Sequence, residues 1–197
     1  MATLPTRASN IIRTPATEWP VIAGESTTVA RLYTEYIAPL AAIPVIAGFI
    51  GLNLMSATIP GLTGRRFGLS VGFSYMVVQY LFSLVAVYVA ALVIEWLAPK
   101  FKSSGSRIDA LKLVAYSCTP AWLAGIFAIV PLLGILMLIG LIYAFYLFYL
   151  GLPHLMKTPA DQVVIYVVAS AVVIIVINFV LQSIASSLTI GSLVVTP

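Results

Sequence analysis

Long apolar runs separated by short polar breaks organise this chain. The runs extend over about Tyr36–Ile59, Leu69–Leu97, Ile108–Val130, Pro131–Leu152 and Val163–Ser187. Each run holds about 20 or more residues, which is the length that an α-helix needs to cross a bilayer. The pattern therefore predicts an all-α bundle of about five transmembrane spans, in which the third and fourth form a tight hairpin.

The first 34 residues differ from the rest because charged residues and prolines alternate with apolar ones. Near their end, apolar residues from Val29 to Leu40 recur at helical spacing behind hydroxyl residues 26–28, which can cap a helix. We expect an amphipathic helix at the membrane surface that runs into the first span. The predicted division is a cytoplasmic or interfacial segment (1–34), a five-span domain (35–187) and a short tail (188–197).

Composition narrows the class of protein. Of the 197 residues, 61% are hydrophobic and only 8% are charged, with a net charge of +4 and a mean hydropathy of +1.10. This apolar content exceeds what one small soluble core can bury, and disorder would require low hydrophobicity and high charge. A disulfide framework is excluded because Cys118 is the one cysteine.

Lysine and arginine placement predicts the orientation, since short positively charged loops stay cytoplasmic. Five spans with a cytoplasmic N-terminus leave only Arg65 and Arg66 on the outer side. The residues placed on the cytoplasmic side are Arg7, Arg13, Arg31, Lys100, Lys102, Arg107, Lys112 and Lys157. The expected location is a cell membrane, the inner membrane in a bacterium.

Signals for catalysis or cofactor binding are weak. Residues 68–72 match the Gly-x-Ser-x-Gly pattern of a hydrolase nucleophile, but the strand and nearby base that it requires are missing, so a helix-packing motif is favoured. One cysteine and one histidine do not form a metal site. Dispersed basic residues argue against nucleic-acid binding. We therefore expect neither an enzyme nor a cofactor.

Polar residues inside the apolar runs are the better candidates. Glu35 stands at the entry of the first span and Glu95 near the end of the second, where each carboxylate either serves an internal polar site or extends to the interface. Asn53 and Gln79 are interpreted as interhelical hydrogen-bond partners. His154 follows Pro153 near the end of the fourth span and is interpreted as interfacial.

A polar break lies within the third span at Tyr116, Ser117 and Pro120. Pro120 has no N–H, so the carbonyl of Tyr116 loses its helical donor. A side chain, a water or a ligand must satisfy this acceptor, because an unpaired backbone group is costly inside a membrane.

Three stretches resemble one family. Residues 35–40 (EYIAPL) are similar to the acidic-x-x-small-Pro-Leu signature that opens the first span of the Ypt-interacting-protein (Yip) domain family. Residues 113–120 (LVAYSCTP) resemble its Tyr-Ser-x-x-Pro element, and residues 13–22 (RTPATEWPVI) resemble the Pro-x-x-x-Trp-x-x-Ile stretch of its bacterial branch. The resemblance implies a five-span membrane protein in a group whose eukaryotic members are linked to small-GTPase binding and vesicle traffic. It marks Glu35, Pro39, Tyr116, Ser117 and Pro120 as motif positions without a chemical role.

Two functions follow as expectations. The first is a non-enzymatic membrane protein that organises the bilayer or binds a protein partner at its cytoplasmic face, with self-association left open. The alternative is a transporter or channel for a small molecule, an ion or a lipid, in which spans one and three enclose a polar site around Glu35, Tyr116 and Ser117, since broken helices often form such sites.

Overall fold

The computed structural model describes residues 3–58 and 69–194, and every regular element in these ranges is helical. Arg65, Arg66 and Gly68 lie outside the described residues. The α-helices are α1 (Leu4–Arg13), α2 (Pro15–Gly24), α3 (Val29–Leu32), α4 (Ala38–Thr58), α5 (Leu69–Leu97), α6 (Arg107–Ser117), α7 (Thr119–Ala124), α8 (Gly134–Leu155) and α9 (Ala160–Val194), with a π-helix at Tyr33–Ile37 and 3-10 turns at Ala98–Phe101, Gly125–Ile129 and Pro131–Leu133.

Five stretches of the described chain are long and apolar enough to cross a membrane, as predicted. The predicted bundle of about five spans is therefore confirmed, whereas the cytoplasmic orientation of the N-terminus stays a prediction. The spans are Val29–Leu54, Gly72–Phe101, Arg107–Ile129, Gly134–Leu155 and Ala160–Leu181. The boundaries differ most at the start of span one, which begins at Val29 and not at the predicted Tyr36, and at the end of α9, which continues to Val194, beyond the predicted end at Ser187.

Side-chain caps set the starts of spans one and three. Thr28 accepts a hydrogen bond from the backbone N–H of Arg31 at 3.2 Å, so one of the predicted hydroxyl residues does cap the helix. Ser106 and Asp109 form a capping box at the start of α6, in which each side chain binds the other residue's backbone N–H. Span one begins and span two ends at the same end of the bundle as these caps, and we call this the polar end.

Two loops meet at the polar end. The backbone N–H of Ser104 donates to the carbonyl of Met156 at 2.9 Å, and the hydroxyls of Ser103 and Thr158 are 2.9 Å apart. The segment that joins spans two and three is thereby fixed to the segment that joins spans four and five.

The N-terminal helix pair, α1 and α2, is packed against the bundle. The phenol of Tyr143 in α8 donates to the carbonyl of Ile12 at 2.6 Å. Trp19 is fully buried, and a Cβ added at Gly151 of α8 would lie only 2.8 Å from Trp19 Cζ2. The absence of a side chain at Gly151 therefore makes room for the indole. The depth of this pair relative to the bilayer stays a prediction.

Away from the polar end, span one packs closely on the second half of span three. A Cβ added at Gly51 would lie 3.0 Å from the carbonyl oxygen of Ile129 and closer still to that of Ala128. A Cβ added at Gly125 would lie 2.5 Å from Pro44 Cβ. These glycines therefore bring the backbones of spans one and three into close contact at this level.

The turn between spans three and four is apolar and exposed. Leu132 is 89% exposed, and Val130 and Ile135 on either side of it are also exposed. Some backbone groups of the turn are hydrogen bonded within it. The N–H of Val130 donates to the carbonyl of Phe127, and the N–H of Leu133 donates to the carbonyl of Val130. An exposed apolar turn whose backbone is internally bonded suits contact with lipid.

Candidate functional site

The entry of span one contains a π-helix that carries Glu35 and Tyr36. The N–H of Ala38 bonds to the carbonyl of Tyr33, five residues earlier, immediately before Pro39. Pro39 cannot donate to the carbonyl of Glu35 as the next residue of an α-helix would, and this explains the wider turn. Single π-turns are frequent at functional sites. The turn leaves Tyr36 buried and Glu35 exposed.

At the proline kink in span three, a neighbouring side chain hydrogen bonds the free backbone carbonyl. The hydroxyl of Thr119 donates to the carbonyl of Tyr116 at 2.8 Å, so a side chain satisfies the acceptor that Pro120 frees. The phenol oxygen of Tyr36 is 2.7 Å from the same threonine oxygen. Because a hydroxyl has one proton, Tyr36 is the donor of this second bond. A chain of two bonds therefore joins spans one and three.

The two tyrosines also contact each other and form the floor of a cavity. Their ring centroids are 4.7 Å apart at an interplanar angle of 60°. This edge-to-face arrangement is one that aromatic pairs prefer. Above them lies a cavity of about 270 Å³, which we call the polar-end pocket. Its lining includes Leu4, Arg7, Arg31, Glu35, Tyr36 and Tyr116.

Arg7, which lines the pocket, belongs to a buried ion-pair cluster. The guanidinium of Arg7 is paired with the carboxylates of Glu18 and Glu25 and lies over the ring of Tyr116, 5.8 Å from its centroid. Lys112 donates to the backbone carbonyl of Glu25 at 2.5 Å. The N-terminal helix pair is thus bound to span three by charges and not only by apolar contact.

Burial of Arg7 would by itself lower the pKa of its guanidinium. The hydrogen bond that Arg7 donates to Glu25 and the negative charges of Glu25 and Glu18 outweigh this effect, and the net result is a pKa raised above its ordinary value. Arg7 therefore remains charged at any physiological pH.

Two exposed ion pairs lie elsewhere at the polar end. Arg31 Nε donates to both carboxylate oxygens of Glu35 at 2.9 Å, and this pair borders the pocket. Arg107 Nε donates to Glu95 at 2.7 Å, and neither residue lines the pocket. Both glutamates of the sequence prediction thus pair with an arginine near the end of a span.

The remaining candidates lie apart from the pocket lining. Asn53 donates to the carbonyl of Phe49 at 2.8 Å, within its own helix, and Gln79 donates to the phenol of Tyr75 at 2.9 Å. His154 is exposed near the end of α8. The structure therefore brings together Glu35 and Tyr116 of the predicted set, while Asn53, Gln79 and His154 do not line the pocket.

Ser117 and Pro120 are buried beside the kink and outside the pocket lining. The Ser117 hydroxyl has no hydrogen-bond partner among the described residues. Pro39 is exposed at the end of the π-turn, so its contribution is to the backbone that positions Glu35 and Tyr36.

Sequence reasoning did not single out Arg7, Thr119 or Glu18 as site residues. Arg7 and Glu18 are eleven residues apart, and only the packing of α1 with α2 brings them into contact. Thr119 could have been found from its place before Pro120, since a hydroxyl there is well positioned to bond the carbonyl that the proline leaves free.

Similarity to known proteins agrees with this architecture. Residues 9–182 match the Yip1 domain. The chain is 29% identical over 151 residues to the protein called Inner membrane protein YohC from Escherichia coli strain K12, covering 75% of this chain and 77% of that protein. The protein of the same name from Escherichia coli O6:H1 matches to the same extent. No solved structure shows significant similarity. Because the matched domain covers the second half of α1, all of α2 and all five spans, the chain belongs to the Yip1 domain family.

Proposed function

We propose that this protein is a non-enzymatic membrane-organising scaffold of a bacterial inner membrane, and that it does not transport a solute. The observation that carries this proposal is the closed packing between spans one and three. Below the polar-end pocket, Tyr36 and Thr119 are hydrogen bonded, and deeper still Gly51 and Gly125 hold span one against span three. A solute that entered the pocket would have to pass these contacts between the two spans.

The transporter alternative places the permeation path between the same two spans. Such a protein would have to separate the glycine contacts and the Tyr36–Thr119 bond during each cycle. The proposed scaffold keeps them closed, so the two functions differ in whether buried positions of span one ever meet water.

Cysteine accessibility tests this difference. In a Cys118→Ala background, single cysteines replace Thr3 at the pocket and Ala41 and Ala47, which are buried in span one. Each variant is treated in sealed vesicles with a membrane-impermeant thiol reagent, from each side in turn. We expect labelling at position 3 and none at 41 or 47, even after long incubation.

Labelling at 41 or 47 would overturn the scaffold in favour of a transport path. The variant at position 3 controls for reagent access, and denatured samples control for thiol reactivity. Cysteine labelling distinguishes the scaffold from the transporter without a flux assay, which would require a known substrate.

The polar end also carries an exposed aromatic residue. Trp96 is exposed, with the ammonium of Lys100 3.8 Å from the centroid of its ring, and such tryptophans are typical of membrane interfaces. A protein partner at this end and self-association stay predictions. The mass of the purified chain in nanodiscs tests the second.

A further inference from the structure

Each basic residue at or beside the polar-end pocket has an acidic partner. Arg7 pairs with the carboxylates of Glu18 and Glu25, and Lys112, outside the pocket lining, has its ammonium 3.8 Å from a carboxylate oxygen of Asp109. Arg31 and Glu35 add one charge of each sign at the rim. A ligand with a net charge would therefore gain little from the pocket as a whole, while a ligand with separated opposite charges could use both rim residues.

The Arg31–Glu35 pair is the part of the pocket that a ligand can engage. Its two side chains are 50% and 54% exposed, whereas Arg7 is 3% exposed and already holds two carboxylates. Glu35 engages only Nε of Arg31 among the described residues, and a guanidinium carries four further N–H donors. An exposed pair of this type contributes little to stability, so exchanging it for ligand contacts costs little.

We propose that the polar-end pocket binds a zwitterion that carries a phosphate and a primary ammonium, the chemistry of a phosphatidylethanolamine headgroup. The phosphate accepts hydrogen bonds from the guanidinium of Arg31, and the ammonium donates to the carboxylate of Glu35. This inference rests on the proposed function and deepens it, because it names a ligand for the pocket at the polar end of the closed bundle.

Size and position favour a lipid over a free solute. The pocket volume of about 270 Å³ lies just below the range of about 300–1,000 Å³ that is usual for drug-sized ligands, so it suits a headgroup. Arg31 and Glu35 lie in the first turns of span one, the level at which a membrane helix meets the headgroup layer. Leu4 and Leu32 supply apolar wall beside them.

The structure provides a matched control pair for testing this proposal. Arg107 and Glu95 form the same type of ion pair at the same end of the bundle, with side chains 55% and 33% exposed, outside the pocket lining. Replacing Glu35 or Glu95 by glutamine removes one negative charge in each case. Only the first change alters the pocket.

The experiment measures lipid retention by native mass spectrometry on the full chain, with phosphatidylethanolamine, phosphatidylcholine and phosphatidylglycerol added in equal amounts. We expect the unmodified chain to retain phosphatidylethanolamine preferentially, because the quaternary ammonium of phosphatidylcholine has no N–H to donate. Glu35→Gln leaves the rim positive, so the ratio of phosphatidylethanolamine to phosphatidylglycerol should fall about tenfold or more. Glu95→Gln should leave the ratio unchanged.

The gain of phosphatidylglycerol by Glu35→Gln cannot be explained by misfolding, and the charge-swapped variant R31E/E35R should regain the original preference. Equal ratios for Glu35→Gln and Glu95→Gln would overturn the ligand assignment while leaving the cysteine-accessibility result, and with it the scaffold, untouched. Free phosphoethanolamine is added as a competitor in a further arm. Retention of the free compound without the lipid would overturn the lipid as the source of the zwitterion.

Discussion

Replacing Arg7 by methionine should release the N-terminal helix pair from the bundle. The side chain lies between Glu18 and Glu25, and its removal leaves two carboxylates without their cation. Glu18 is 7% exposed, so water cannot readily take the place of the guanidinium. The raised pKa of Arg7 means that the unmodified chain carries this cation at every physiological pH.

The size of the effect follows from burial. Breaking a buried ion pair by removing one partner costs about 3–5 kcal/mol. At about 1.4 kcal/mol per power of ten, the equilibrium constant for opening rises roughly 150- to 4,000-fold. The pair of Arg31 and Glu35 is about half exposed, and breaking such a surface pair costs about 0.2–1 kcal/mol, which is at most about fivefold.

Hydrogen–deuterium exchange on the full chain measures this opening. Amides of α2 (15–24) should exchange two to three orders of magnitude faster in Arg7→Met, while Arg31→Met should change them at most about fivefold. Replacing Arg7, Glu18 and Glu25 together by methionine should restore much of the protection, because no charge is left unpaired. Equal exchange in the two single variants would refute the structural role of the buried cluster.

Three further predictions concern the kink, the helix packing and the apolar turn. Thr119→Val should destabilise the fold by about 1–3 kcal/mol, because the carbonyl of Tyr116 loses its donor, whereas Thr119→Ser should be nearly neutral; thermal unfolding in detergent compares them. Gly151→Ala should cost about 1–3 kcal/mol in the same assay, because the added methyl meets a neighbour 2.5 Å away, while Gly48→Ala meets nothing within 4 Å; equal losses would contradict this packing. A cysteine at Leu132 should resist an impermeant thiol reagent and react with a lipid-soluble one, and rapid labelling from water would show that the turn leaves the bilayer.

The spans could be predicted from sequence because each one depends on local composition. The predicted second span, Leu69–Leu97, coincides with α5. A long apolar run that stops shortly before Pro99 forms a helix in lipid, because its backbone groups must bond one another there. The kink also followed from local chemistry: Pro120 had to free a carbonyl, and a side chain satisfies it.

The pocket could not be predicted in the same way. Tyr36 and Thr119 are 83 residues apart, and nothing in the pattern of either span specifies which helix faces which. Glu35 was a candidate because it is an acidic residue beside a membrane span, and its partner Arg31 lies one turn away along the same helix. That pair is local and does not indicate which residues form the rest of the pocket. The wall formed by Arg7 depends on the docking of the N-terminal helices, which charge and periodicity alone do not encode.

A structure of the chain in nanodiscs that contain phosphatidylethanolamine would distinguish a closed, lipid-binding scaffold from a transport path. We predict headgroup density in the polar-end pocket beside Arg31 and Glu35, an intact bond between Tyr36 and Thr119, and no water or ligand between spans one and three near Gly51. A continuous hydrated path past Thr119 would contradict this prediction.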